Sequence, residues 1–252
     1  MRYLRVTYRL LFFVVYTARI VAEVYWRRVW LRQDTTRIMA VRQRWAVRLL
    51  RGMGIRISVD GVPPDVPCIL MANHRSYLDP IILLRDVYAY PVAKAELADW
   101  PLIGKGARWA GILYVRREEG NSRVTILKAV ADVVQNEGFS VILFPEGTTS
   151  DLDGMLPFKK GAFRAAARWG IPVAPVALHF EDKRDFWVGD ATFGGHAWER
   201  FQEPVIRVQV SYGPLLRNDD GEALETAVRE WIEGKLAEKV AQRHLPKPDD
   251  NC

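Results

Sequence analysis

The sequence predicts an α/β protein in which a central, mostly parallel or mixed sheet is flanked by helices and preceded by a two-helix N-terminal arm. Beyond residue 54, short apolar runs of strand length alternate with segments of helical periodicity, the pattern of layered α/β folds. Two polar motifs, at residues 73–79 and 144–150, each follow such an apolar run. Residues that follow the strands form the ligand-binding edge in such folds, so both motifs are candidates for function.

The first 53 residues, here called the arm, differ in composition from the rest. Residues 1–60 contain thirteen arginines, no lysine and three acidic residues, a net charge of +10, whereas residues 61–252 sum to −4. Residues 4–31 are predicted as one helix, continuous or bent, with an unbroken apolar run at 10–16. Arg9, Arg19 and Glu23 interrupt it, which disfavours a membrane-spanning helix of about 20 mostly apolar residues.

Residues 35–53 are predicted as a second, amphipathic helix. Its apolar face carries Ile38, Val41, Trp45 and Leu49, and its cationic face carries Arg37, Arg44, Arg48 and Arg51. Tryptophan and tyrosine beside arginine are typical of a membrane interface, which favours an anionic membrane over nucleic acid. We therefore expect the arm to embed in, or lie on, the cytoplasmic face of the cell membrane. The alternative is that both helices simply pack against the globular part.

The globular domain is predicted over residues 54–245, followed by a disordered tail at 246–252. The predicted strands span residues 55–59, 68–72, 92–93, 112–115, 140–144, 173–179 and 205–212. The predicted helices span residues 80–85, 102–109, 121–136, 160–169 and 224–240. Residues 180–204 are predicted to be irregular.

The motif Asn73-His74-Arg75-Ser76-Tyr77-Leu78-Asp79 combines a base with a carboxylate. Histidine has the side-chain pKa nearest neutrality and suits general-base chemistry, and Asp79 is placed to orient it. The two side chains meet only if the segment is a turn that enters a helix, and Pro80 is typical of a helix start. The spacing alone is a weak signal, so a merely structural histidine remains the alternative.

Three further segments suggest anion binding. Phe144-Pro145-Glu146-Gly147-Thr148-Thr149-Ser150 follows a strand and alone is an ordinary turn. The strand at 112–115 is followed by Arg116 and Arg117, which suit phosphate oxygens or form a solvated pair. The segment Lys159-Lys160-Gly161 adds phosphate-binding charge or simply begins a helix, and Lys160 is the lysine predicted to bind substrate.

In their order and spacing, four segments resemble the blocks of the membrane-associated glycerolipid acyltransferases, particularly the 1-acylglycerol-3-phosphate acyltransferases. The matching segments are NHRSYLD at 73–79, GILYVRR at 111–117, FPEGTTS at 144–150 and IPVAPV at 171–176. The resemblance implies that His74 takes the proton of an acceptor hydroxyl while Asp79 orients it. The hydroxyl oxygen then attacks the thioester of acyl-CoA or acyl-carrier protein, without a covalent acyl-enzyme. It also implies that Arg117, Glu146 and Gly147 bind glycerol phosphate.

Arg116, Thr148 and Lys160 complete the candidate substrate-binding residues. The most favoured acceptor is 1-acylglycerol-3-phosphate, which would give phosphatidic acid. The blocks carry Thr149 where many members have arginine, and Val-Arg-Arg where Ile-Asp-Arg is commoner. These departures keep other acceptors open: a lyso-ornithine lipid, another lysophospholipid or a lipid A precursor. The alternative that is not an enzyme is a non-catalytic lipid-binding module.

Other chemistries are disfavoured. A serine hydrolase is unlike this sequence, which lacks a G-x-S-x-G motif. The four scattered histidines and two cysteines, Cys68 and Cys252, have no metal-ligand spacing, so neither a metal nor a disulfide framework is expected. We expect no cofactor, the acyl donor being a substrate, and no nucleic-acid partner.

Overall fold

The structure, a computed structural model, describes residues 1–95, 111–115, 120–152 and 154–243. Its helices are α1 (Arg2–Val29), α2 (Thr35–Gly52), α3 (Asp79–Leu84), α4 (Gly120–Asp132), α5 (Gly161–Arg168), α6 (Phe193–Arg200) and α7 (Gly221–Arg243). Its strands are β1 (Ile55–Asp60), β2 (Ile69–Ala72), β3 (Ala89–Lys94), β4 (Leu113–Val115), β5 (Ser140–Leu143), β6 (Val173–Phe180) and β7 (Ile206–Tyr212). The helix expected at 102–109 and the tail at 246–252 lie outside the described residues.

The seven described strands form one mixed sheet in the order β1-β7-β6-β2-β5-β3-β4. Every neighbouring pair is parallel except β6 and β7, which are antiparallel. The predicted α/β class with a mostly parallel or mixed sheet is confirmed. Its five parallel strands from β6 to β4 end at one edge of the sheet, which collects the residues that follow them.

The centre of the sheet places the two polar motifs side by side. All four residues of β2 are buried, as expected for a parallel strand covered on both faces. Strand β2 lies between β5 and β6, with Met71 opposite both Leu143 and Pro175. The chains leaving β2 and β5 are therefore neighbours, about 5 Å apart in the hydrogen-bonding direction.

The prediction that residues 180–204 are irregular is wrong in part, because helix α6 lies within them. The hydroxyl of Thr192 caps this helix by accepting from the backbone N–H of Gly195. The sequence does not predict this helix because its first turn contains Gly194 and Gly195, and glycine is a poor helix former. The segment supports the first motif: the ring of Tyr77 packs edge-on against Phe193, and Trp187 N donates to the carbonyl of Arg75 at 2.8 Å.

The arm helices share an apolar core with the sheet. Val6, Ile20 and Ile38 belong to one buried cluster with Leu70 of β2 and Val208 of β7. One face of α1 nevertheless stays uncovered. Its exposed apolar side chains are Tyr3, Leu4, Tyr8, Leu11, Val14, Val15, Tyr25, Trp26 and Val29, and Trp30 is exposed just beyond its end. Within the described part of the chain, no helix is both long and apolar enough to traverse a bilayer.

The arginines of the arm divide into two groups. Arg9 is buried and donates to the carbonyls of Phe201 (3.1 Å), Glu203 (2.6 Å) and Pro204 (2.8 Å). Arg42 is buried in α2 and donates to the carbonyls of Ala89 and Gly111, and burial lowers its pKa to about 9. In contrast, the predicted cationic face of α2 is exposed. It comprises Arg37, Arg44, Arg48 and Arg51.

Candidate active site

His74 and Asp79 lie within direct hydrogen-bonding distance, because residues 73–78 turn from β2 into α3 with Pro80 in its first turn. The distance from His74 Nδ1 to Asp79 Oδ2 is 2.7 Å. The same oxygen accepts from the backbone N–H groups of Arg75 (2.6 Å) and Ser76 (2.8 Å). An oxygen that accepts two such bonds acts as an acceptor towards the imidazole too, so Nδ1 donates and carries the proton. Nε2 then presents a lone pair that can accept a proton.

The side chains of His74 and Asp79 differ in solvent exposure. The side chain of Asp79 has no exposed area, whereas that of His74 is 21% exposed. The carboxylate is therefore hidden beneath the imidazole, and the imidazole is the member of the pair that reaches the surface. This arrangement provides a base at the sheet edge, backed by a charge that stabilises the imidazolium formed during proton transfer.

Glu146 joins the second motif to the first. It is buried, and its Oε1 accepts from His74 N at 2.8 Å. Its Oε2 accepts from Leu156 N at 2.8 Å and from Ser150 Oγ at 3.2 Å. Ser150 N in turn donates to the carbonyl of His74 at 3.2 Å. The carboxylate therefore fixes the backbone of the base from the neighbouring strand end.

Arg75 forms a second connection between the motifs. Its guanidinium is buried and donates to Ser150 Oγ, to Ser150 O at 2.9 Å and to Gly154 O at 2.6 Å. It also lies 5.5 Å from the ring centroid of Phe186. Because arginine has several donors in one plane, a single side chain can hold two points of the 144–154 loop.

The ring of Phe144 covers one face of the His74 imidazole. Their centroids are 4.0 Å apart and their planes differ by 15°. The sheet register brings the two segments together. Met71 is opposite Leu143, so the residues that follow β2 and β5 leave the sheet side by side.

Gly147 has φ +76°, the left-handed region that favours glycine. A Cβ at this position would lie 2.6 Å from Lys159 Cε, so the lysine side chain occupies the space that a larger residue would need. Lys159 N donates to Pro145 O at 2.9 Å, and its ammonium lies beside Gly147. Thr148, the next residue, is exposed.

The structure places Lys160 away from these contacts. Its ammonium donates to Glu222 Oε1 of α7 at 3.2 Å, and both side chains are exposed. The turn into α5 directs successive residues to different sides, so Lys159 and not Lys160 is the lysine beside Gly147. Arg116 and Arg117 lie outside the described residues. The strand before them, β4, ends at the same sheet edge as β2.

Cys68 and Ser76 do not offer an activated nucleophile. The Cys68 thiol is buried, with Sγ 3.8 Å from Ser140 Oγ, and burial raises its pKa to about 11. The thiolate, which is the nucleophilic form, is scarce at neutral pH. Ser76 is also buried, and its hydroxyl accepts from Leu78 N at 3.4 Å.

The sequence-based site therefore assembles around His74, Asp79, Glu146 and Gly147. Arg75, Phe144 and Ser150 were not among the predicted site residues. A buried arginine beside a strand end signals that a partner must exist, but not which one. The Phe144 contact depends on the register of β2 against β5, which the sequence does not reveal.

The chain matches the family model described as acyltransferase over residues 55–179. The chloroplastic 1-acyl-sn-glycerol-3-phosphate acyltransferase BAT2 of Brassica napus is 41% identical over 116 residues, 45% of this chain and 33% of that protein. The lyso-ornithine lipid O-acyltransferase of Pseudomonas aeruginosa is 31% identical over 168 residues, 63% of this chain and 64% of that protein. The chain thus spans about a third of one relative and less than two thirds of the other.

A solved structure shares the fold. It is the crystal structure of the 1-acyl-sn-glycerophosphate acyltransferase PlsC from Thermotoga maritima, with a TM-score of 0.75 and 21% identity. The match covers 96% of this chain and 98% of that chain. At this identity it shows a common architecture, arm helices included. Residues 55–179, which contain the motifs at the sheet edge, belong to the acyltransferase family that the family model describes.

Proposed function

We propose that this protein transfers a fatty acyl group from acyl-CoA or acyl-carrier protein to the free hydroxyl of a lysophospholipid, foremost 1-acylglycerol-3-phosphate. The observation that carries the proposal is the pair formed by His74 and Asp79, joined at 2.7 Å with Nε2 directed away from the carboxylate. The acyl donor is a substrate, and the reaction requires no cofactor.

The reaction balances with this one base. His74 Nε2 accepts the hydroxyl proton as the acceptor oxygen forms a bond to the thioester carbonyl carbon. The tetrahedral intermediate collapses with cleavage of the carbon–sulfur bond, and the imidazolium returns its proton to the leaving thiolate. Asp79 stabilises the imidazolium between these steps. The products are a new ester and a free thiol, and the histidine ends in its starting state.

We assign binding of the acceptor phosphate to cationic side chains near the sheet edge that carries His74. Lys159 lies beside Gly147, and Arg116 and Arg117 follow a strand that ends at the same edge. Arginine contacts phosphate oxygens in pairs, which suits a glycerol phosphate headgroup. Thr148 is exposed and adds a hydroxyl next to Gly147.

The arm is assigned to the membrane surface on the cytoplasmic side, where the acyl donors are found. The exposed apolar face of α1 and the exposed arginines of α2 belong to one helix pair that packs together. Apolar side chains would insert into the interface, while each arginine near anionic headgroups contributes about 1 kcal/mol. Anchored in this way, the enzyme would meet its lysolipid without extracting it fully into water.

A lyso-ornithine lipid is the second candidate acceptor. The Pseudomonas aeruginosa relative named for that activity aligns over a larger share of this chain than BAT2 does. The chain also departs from the commoner blocks at Thr149 and at Arg116, which follows valine. Such changes at candidate headgroup contacts favour an altered acceptor.

One assay tests both candidates. Purified protein is incubated with labelled acyl-CoA or acyl-carrier protein and a panel containing lysophosphatidic acid, lysophosphatidylcholine and lyso-ornithine lipid. We expect product with lysophosphatidic acid that is lost in His74→Ala, while Cys68→Ala retains activity. Near-normal turnover by folded His74→Ala would refute the mechanism, and acylation of lyso-ornithine lipid alone would replace the acceptor. Thioester hydrolysis or product formation independent of any lysolipid would exclude the acyl-transfer assignment.

A further inference from the structure

The contact between Phe144 and His74 has a consequence for catalysis. A single hydrogen bond from Nδ1 to Asp79 holds one edge of the imidazole. The plane of the ring can still tilt about this hydrogen bond. Tilting displaces Nε2, the atom that accepts the proton of the acceptor hydroxyl. A flat group against the ring face restricts this motion, which the carboxylate alone cannot do.

Phe144 is itself held firmly. It directly follows β5, and its carbonyl accepts from Gly147 N at 3.0 Å, which closes a tight turn. Its side chain is half-buried and packs against the apolar cluster that contains Leu70. The backbone of His74 is likewise fixed, by Glu146 at its N–H and by Ser150 at its carbonyl. Both rings are therefore mounted on rigid supports.

From this geometry we infer that Phe144 is a positioning residue for His74, which sets the plane of the imidazole and so the direction of Nε2. The inference rests on the proposed function, in which His74 is the general base. It requires an aromatic ring at position 144 and not merely apolar volume. If the ring only filled the core, leucine would lower stability but leave kcat unchanged.

Substitutions at position 144 separate these roles. Phe144→Leu keeps an apolar side chain but removes the flat face, and Phe144→Tyr keeps the ring. We expect Phe144→Leu to lower kcat about tenfold to hundredfold, because misplacing a reacting group by an ångström has effects of this size. KM for both substrates should stay within about threefold, since the ring acts on the base and not on binding. Phe144→Tyr should restore kcat to within about threefold of the natural enzyme.

Phe139→Leu is the matched control. Phe139 directly precedes β5, is half-buried like Phe144, and packs on Tyr90 with centroids 5.9 Å apart. This substitution removes a comparable ring from the opposite end of the same strand. We expect it to leave kcat within about twofold while affecting thermal stability as much as Phe144→Leu does.

A measurement independent of turnover completes the test. In NMR spectra of labelled histidine, the stacked phenyl ring should shift the His74 ring protons upfield, and Phe144→Leu should abolish that shift. The inference is overturned if folded Phe144→Leu matches the natural kcat, if Phe139→Leu loses kcat equally, or if the shift persists without the ring. An inactive natural protein whose His74 protons still show the shift would refute the proposed function while confirming the stack.

Discussion

Two regions are rich in charge, the arm and the sheet edge that carries the candidate active site, but they use it in opposite ways. At the edge, Asp79, Glu146 and Arg75 are buried, and each bonds to the backbone of a neighbouring segment. On the arm, the arginines of the α2 cationic face stay exposed, as do the apolar side chains on one face of α1. Charges at the edge fix geometry within the protein, whereas those on the arm remain available to an external surface.

The arm also contains the exception that makes this comparison informative. Arg9 and Arg42 are turned inwards and bond to backbone carbonyls, like the charges at the edge. Arginine content alone therefore does not define the membrane-facing surface. We therefore expect substitution of the exposed arginines to weaken lipid binding. Substitution of the buried Arg9 or Arg42 should instead lower the free energy of unfolding.

Substitution of Asp79 is expected to have the largest effect. In Asp79→Asn the amide cannot stabilise an imidazolium, and an amide N–H facing Nδ1 would shift the proton to Nε2 and block the base. We expect kcat/KM to fall about 10²–10⁴-fold, the usual contribution of general-base catalysis. Asp86→Asn is the control, because Asp86 is another hydrogen-bonded carboxylate, which accepts from the side chains of Arg85 and Tyr212, but it lies past the other end of α3. Equal losses in both variants would argue against a special role for Asp79.

Removal of the outward arginines tests the other half of the comparison. We expect replacement of the four cationic-face arginines by glutamine to weaken binding to anionic vesicles about 10³-fold, at about 1 kcal/mol each. Binding to uncharged vesicles should change little. Sedimentation with vesicles of each composition measures both quantities.

The control removes the same charge from other surfaces. Its exposed positions are Arg164, Arg168, Arg207 and Arg217. If that variant loses as much vesicle binding as the α2 variant, overall charge and not the arm governs attachment. If neither variant binds less, the membrane assignment of the arm is wrong.

The same contrast explains what could be predicted from the sequence. The pair His74 and Asp79 was predictable because a strand, a short turn and a proline-started helix bring positions five apart together. The inward direction of Arg9 was not, since its acceptors come from residues 201–204, far along the chain. Helix α6 was missed because its two glycines conceal it. Local sequence patterns predict helices and strands. They do not reveal hydrogen bonds from a side chain to backbone atoms that are distant in the sequence.

Glu146 should reveal its positioning role through stability. Glu146→Ala leaves His74 N, Leu156 N and the Ser150 hydroxyl without their acceptor, and buried donors left unpaired cost about 1–3 kcal/mol each. We expect a loss of about 3 kcal/mol, or roughly 6–12 °C in Tm. Calorimetry measures this change.

The comparison for Glu146 is Glu222→Ala. Glu222 is another paired carboxylate, bonded to Lys160 and Arg164, but its side chain is 62% exposed, so its removal should lower Tm far less than removal of the buried Glu146 does. A different result would give the Glu146 carboxylate a different role. If Glu146→Ala raised KM for the lysolipid with Tm unchanged, the carboxylate would bind substrate directly, as the family resemblance implies.

Gly147 should show a smaller effect. Gly147→Ala places a side chain in the left-handed region, which costs about 1–2 kcal/mol, and it displaces the flexible Lys159 side chain. Thermal unfolding of the double variant with Lys159→Ala separates the two causes. We expect it to regain only the part due to overlap. Full recovery would show that backbone conformation is unimportant here.

Cys68→Ala is expected to change least, and its small effect is itself diagnostic. The thiol is buried just before the central strand β2 and its pKa is raised, so it contributes packing and not reactivity. We expect a stability loss of about 1 kcal/mol and kcat within about twofold of the natural value. A steady-state assay and mass spectrometry of the enzyme during turnover measure these outcomes. An acylated Cys68 peptide, or loss of turnover in the variant, would mean that the acyl group passes through the protein, and the direct transfer proposed for His74 would have to be abandoned.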